Sequence, residues 1–134
     1  AVDYFIGLIK KNMKRKNVFL GITNAFRLEY YQLAARTLAE KRQVIPCYAG
    51  ISNAHMTPYG EIWACCTLGY DMPMGNLRDF DYDFQKLWRS SRAKEVRAYI
   101  KAGNCHCPLA NQLYSNILLH GPSLLKVLKN IVAV

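Results

Sequence analysis

The cysteines constrain this chain more than any other feature. Cys47 opens the segment Cys47-Tyr48-Ala49-Gly50, and Cys65 follows the strand-like run Glu61-Ile62-Trp63-Ala64 behind a Thr57-Pro58-Tyr59-Gly60 turn. Cys105 and Cys107 lie within Asn104-Cys105-His106-Cys107-Pro108. A centre built from these thiols would tie together loops far apart in sequence. At 134 residues the chain makes one domain with a modest apolar core, which a metal clip would strengthen.

The count argues against a disulfide framework, because five cysteines is odd and Cys65 and Cys66 are adjacent. Clustered thiols in a reducing compartment more often bind metal. The stretch from Ala1 to Lys16 places its basic residues after its apolar ones, the reverse of a secretory signal, so the expected location is cytoplasmic. With 51% apolar and 20% charged residues the chain reads as globular and soluble. No apolar run approaches the ~20 residues that span a bilayer. The opening Ala1, in place of Met, suggests a piece of something longer.

The net charge of +9 comes largely from Lys10, Lys11, Lys14, Arg15 and Lys16, from Lys41 and Arg42, and from Arg89, Arg92, Lys94, Arg97 and Lys101. Nucleic acid is therefore a candidate partner. Solvated helix faces explain the pattern better, since no aromatic residues interleave with the basic ones as a stacking platform requires. Support of an anionic cluster is a third explanation.

The expected fold class is α+β: N-terminal helices, a small β-hairpin carrying cysteine ligands, then C-terminal helices. Val2, Phe5, Ile6, Ile9 and Met13 recur at helical spacing and predict a helix ending near Asn17. A second helix starts at Val18 or Asn24 and runs to Gln43, its buried stripe being Phe26, Tyr30, Leu33, Ala34, Thr37 and Leu38. Residues 52–67 alternate as short strands around the Pro58-x-Gly60 turn. Residues 69–77 read as a loop. Asp81 or Asp83 caps a helix through Trp88, and Ser90 or Ser91 caps another that Gly103 ends. A short helix is expected over 113–119, and after Gly121-Pro122 a last amphipathic one carries Leu124, Leu125, Leu128, Ile131 and Val132.

Four thiolates satisfy the ligand count of a closed zinc site and of an iron–sulfur cluster alike. Structural zinc sites usually draw two ligands from each of two knuckles, whereas here Cys47 stands alone, Cys65 stands alone or paired with Cys66, and Cys105-x-Cys107 follows far downstream. That spacing suits a bulkier cluster, whose separated irons loops can reach from different sides. Cys66, beside Cys65 and on the opposite side of an extended chain, reads as a buried small hydrophobe. His106 reads as a surface loop residue, and His55 and His120 carry no ligand signature. Neither a phosphate loop nor a Gly-x-Ser-x-Gly elbow is present, and Asp79, Asp81 and Asp83 lack the Gly and Glu of a calcium loop.

Cys47-Tyr48-Ala49-Gly50, Gly60-x4-Cys65, Gly75-Asn76-Leu77-Arg78, Leu87-Trp88 and Cys105-x-Cys107 occur together and in order. The combination resembles the auxiliary-cluster domain, SPASM or twitch type, at the C-terminal end of radical S-adenosylmethionine enzymes, over roughly residues 45–116. Twelve residues separate Cys47 from Gly60, within the family's usual spacing.

The resemblance implies a [4Fe-4S] cluster on Cys47, Cys65, Cys105 and Cys107, with Asn76 and Trp88 as scaffold. It further implies that residues 1–43 are a helical lead-in, the end of a truncated barrel. Residues 44–118 would be the cluster domain and residues 119–134 a C-terminal amphipathic helix. In the family a Cys-x3-Cys-x2-Cys motif in the barrel carries the cluster that cleaves S-adenosylmethionine. That motif is absent here, so the chain alone should not be an enzyme, and its partner is a barrel in the same or another chain, acting on a peptide or small molecule.

The chain also departs from the family, with Leu109, Ala110 and Asn111 where many members have a further cysteine. One cluster at most can be built. It would be fully protein-ligated, favouring electron relay or structural support, unless Cys66 or His106 replaces Cys105 or Cys107. The alternatives are a zinc-stapled interaction domain and a basic nucleic-acid-binding module; no membrane association is expected.

Overall fold

The computed structural model describes residues 2–13 and 18–132. In chain order the elements are α1 (Val2–Met13), α2 (Val18–Glu40), β1 (His55–Met56), β2 (Glu61–Trp63), β3 (Gly75–Asn76), a 3-10 turn (Leu77–Phe80), α3 (Phe84–Arg89), α4 (Ser91–Lys101), α5 (Ala110–Leu119) and α6 (Gly121–Val132). The class is α+β, as the sequence implies. The chain divides into two compact units, one formed by residues 1–46 with 106–134 and the other by Cys47–Cys105.

The first unit is helical. Helix α2 packs against α1, α5 and α6, and having three neighbours it buries more than one stripe: Asn24, Ala25, Leu28, Glu29, Leu33, Ala34 and Thr37. The stripe expected from periodicity is thus partly corrected. Leu33, Ala34 and Thr37 are buried, Phe26 and Tyr30 are half-buried, and Leu38 is exposed. Lys41, at φ 50°, turns the chain out of the helix, and Pro46 prevents its resumption. In α1, Ile9 is buried and the largely exposed Phe5 stacks on Tyr31 at 5.6 Å. The expected end of α1 near Asn17 lies outside the described residues.

Helix α6 needs a larger correction. Its contact line is Ser123 and Val127, one turn apart, with Leu124 and Ile131 at the margins, while Leu125, Leu128 and Val132 face solvent. The apolar stripe is wider than the strip that α2 and α5 cover. Helix α5 begins at Ala110, three residues before its expected start.

The second unit is built on a three-stranded antiparallel sheet in the order β1-β2-β3. His55 pairs with Trp63 and Met56 with Ile62. At the turn, Gly60 takes φ 85° and its N–H donates to the Thr57 carbonyl at 3.0 Å. The stretch expected to be all loop contributes β3, which pairs Glu61 with Asn76 and Ile62 with Gly75. A two-residue strand of Gly and Asn is too short to show periodicity.

Of the two aspartates expected to cap α3, Asp83 does so, accepting from the Lys86 N–H at 3.0 Å, whereas Asp81 sits at φ 52° and closes the 3-10 turn. Ser90 caps α4 through the Ala93 N–H at 3.1 Å. Ile62, Met74, Leu87, Val96 and Ile100 fill the core between sheet and helices, each contributing ~1.5–3 kcal/mol by its burial.

Candidate metal centre

Three cysteines of the second unit share one core. Cys65 is a buried member of it, and Cys47 and Cys105, far apart in the chain, pack against the same cluster of side chains. All five cysteines are thiols. Among the described residues no three His, Cys, Asp or Glu side chains are gathered to hold a single metal ion.

Local backbone chemistry places each thiol. After Cys47 the chain closes a tight loop in which the Ile51 and Ser52 N–H groups donate to the Tyr48 carbonyl at 3.0 and 2.9 Å, and the Gly50 N–H donates to Asn53 at 3.1 Å. Gly50 holds φ 71°, and a Cβ there would stand 3.0 Å from the Ala64 Cβ. The loop of Cys47 is therefore pressed against the residue that precedes Cys65, an approach that only glycine permits. Arg97 of α4 braces the same place, its guanidinium donating to the Trp88 carbonyl at 2.8 Å and the Gly50 carbonyl at 3.5 Å while lying 5.2 Å from the Trp88 ring centre.

Cys65 lies two residues beyond the end of β2, immediately before a turn. Its neighbour Cys66 opens that turn. It is exposed, correcting the expectation of a buried hydrophobe, and its Sγ lies 3.6 Å from His55 Nδ1.

Helix α4 sets the position of Cys105. Gly103, at φ 78°, ends the helix with its N–H donating to the Ile100 carbonyl at 3.0 Å. The Tyr99 hydroxyl then donates to the Asn104 carbonyl at 3.2 Å, fixing the residue before Cys105. Cys107 is half-buried and belongs to the helical unit. There the Tyr30 hydroxyl donates to the carbonyl of Pro108, the next residue, at 3.1 Å. Burial and the neighbouring Tyr31 hold the Tyr30 phenol above its usual pKa, and burial does the same for Tyr114, stacked on Tyr30 at 5.0 Å. His106 is exposed.

Gly50, Arg97, Tyr99 and Tyr30 are supports that the reading of the sequence missed. The Gly three residues after Cys47 was visible in the motif; the other three act through folded contacts that no local spacing encodes. Asn76, expected as scaffold, fills that role: its side chain donates to the Tyr59 carbonyl at 3.2 Å and accepts from the Arg78 N–H at 3.0 Å.

Residues 47–108 match the family model of SPASM, an iron-sulfur cluster-binding domain. The match opens on Cys47 and closes one residue past Cys107, just under half of the chain. This stretch is similar to the SPASM class of domain, described as binding iron–sulfur clusters. No curated protein and no solved structure matches the chain. No helix among the described residues is long and apolar enough to cross a membrane.

The chemistry of the donors suits such a cluster: Cys47, Cys65 and Cys105 border one core of the second unit. Thiolate is the usual ligand of iron–sulfur clusters.

Proposed function

We propose that the chain supplies an auxiliary [4Fe-4S] cluster to a radical S-adenosylmethionine enzyme, with Cys47, Cys65, Cys105 and Cys107 as its ligands. The observation that carries this reading is that Cys47, Cys65 and Cys105 border one core within the segment that matches the SPASM model. When bound, such a cluster supplies a one-electron carrier.

The chain's own residues hold the thiols and shape their surroundings. Gly50 and Arg97 clamp the Cys47 loop, Tyr99 fixes the approach to Cys105, and Tyr30 anchors the residue after Cys107. Four protein thiolates would leave no ligand position for substrate, which favours electron relay or support of a substrate site over direct substrate binding. The net charge of +9 offsets the negative charge that four thiolates bring. The catalytic barrel, in the same or another chain, is the expected partner, its substrate a peptide or small molecule, and the location cytoplasmic.

Iron, zinc and acid-labile sulfide measured on protein purified without oxygen test the proposal. It expects about four irons and four sulfides per chain. One zinc with neither iron nor sulfide would replace it with the zinc-stapled domain.

A further inference from the structure

One side of the sheet carries a feature that the cluster does not use. His55, Tyr59, Glu61, Trp63, Cys66 and Tyr70 line a cleft of about 390 Å³, within the range of small-molecule sites. Trp63 and Tyr70 form an aromatic wall with ring centres 4.7 Å apart. Cys66 is exposed, unlike its buried neighbour Cys65, and its Sγ lies 3.6 Å from His55 Nδ1. His55 is held in place by β1, opposite Trp63 in the sheet register. Two ring nitrogens among the lining residues, His55 Nε2 and Trp63 Nε1, are buried without a hydrogen-bond partner among the described residues. With Nδ1 accepting from the thiol, Nε2 carries the hydrogen, so both buried ring nitrogens are donors.

A thiol with an imidazole base at hydrogen-bond distance, in a cleft with aromatic walls, has the parts of a nucleophilic site. We propose that Cys66 and His55 form a thiol–disulfide exchange site for small-molecule disulfides with an aromatic or apolar flank. His55 Nδ1 takes the proton of Cys66 Sγ as that sulfur attacks one sulfur of the disulfide. The Cys66–S bond forms as the S–S bond of the ligand breaks, and the departing thiolate takes the proton from the imidazolium. The disulfide is the only oxidant: one thiol and one disulfide give one mixed disulfide and one thiol. Cys66 lies outside the proposed ligand set, so the site stands whether or not the cluster reading holds.

The test uses the full chain, reconstituted with iron and sulfide, and follows its reaction with dithiodipyridine and with hydroxyethyl disulfide. Peptide mapping locates the mixed disulfide, and visible absorption reports any change in the metal centre. The expected result is one fast equivalent on Cys66, lost in Cys66→Ala, about a hundredfold slower in His55→Gln, and a gain over the denatured chain that is larger with the aromatic disulfide than with the aliphatic one, each compared with its own denatured rate. The same chain in denaturant supplies the reference rate of an unassisted thiol without any substitution. If Cys66 reacts no faster in the folded chain than in denaturant, or if folded His55→Gln matches the wild type, the proposal is overturned.

Discussion

A methyl group at Gly50 would meet Ala64 at 3.0 Å on a backbone already at φ 71°. Gly50→Ala therefore combines left-handed strain with a clash at the junction of the Cys47 and Cys65 segments, for a cost of about 1–3 kcal/mol. Gly103 has a similar φ of 78° with open space around its would-be Cβ, so Gly103→Ala carries the backbone cost alone. Thermal unfolding of the two variants should rank Gly50→Ala as the less stable, and iron content per chain should fall more in it.

The phenols make a second prediction at this scale. Burial raises the pKa of Tyr30 and Tyr114 above the usual 10.0, so folding favours their neutral forms. This stability is whole below the unfolded value and is lost as pH rises through the raised folded values. Urea unfolding between about pH 8 and about pH 11 should show an alkaline loss that shrinks in a Tyr30→Phe, Tyr114→Phe double variant. An unchanged slope would show that other groups cause it.

Among the elements, α6 separates hydrophobic pattern from burial. Val127 is fully buried, whereas its neighbour Leu128 is 49% exposed. Val127→Asp should unfold the helical unit, costing at least about 3 kcal/mol, and Leu128→Asp should cost under about 1 kcal/mol. Circular dichroism melts of the pair check it; equal losses would return the buried face to the leucine stripe.

The same contrast shows what the sequence made legible. Helices α1, α2 and α6 followed from apolar spacing, and α3 and α4 from the caps Asp83 and Ser90, whose side-chain oxygens suit that position. Which face each helix buries did not follow, because three neighbours set the burial of α2 and a narrow contact line sets that of α6. The four cysteines were legible because their chemistry is local to the residue. Their supports, Arg97 and Tyr30, depend on contacts 47 and 78 residues away in sequence, and His55 meets Cys66 only through strand pairing.

For the molecule as a whole, two separate cores imply two separate readouts. The helical unit has its own core around Leu28, Leu33, Leu113, Ile117 and Val127, and the cysteine-bearing unit has another around Ile62, Met74, Leu87 and Val96. A bound cluster would add stability to the second core, since ligands ordered by folding make binding energy into folding energy. Removing iron by chelation should accelerate amide exchange at Ile62 and Val96 more than at Leu28 and Leu33. Equal acceleration throughout would show that the metal supports both cores alike.

The central claim is the ligand set, and five single Cys→Ser variants test it most directly through iron content and visible absorption after anaerobic reconstitution. Cys47→Ser, Cys65→Ser, Cys105→Ser and Cys107→Ser should each lose most of the iron and the charge-transfer absorption, while Cys66→Ser keeps both. Loss of iron in Cys66→Ser, with full retention in any of the other four, would contradict the assignment.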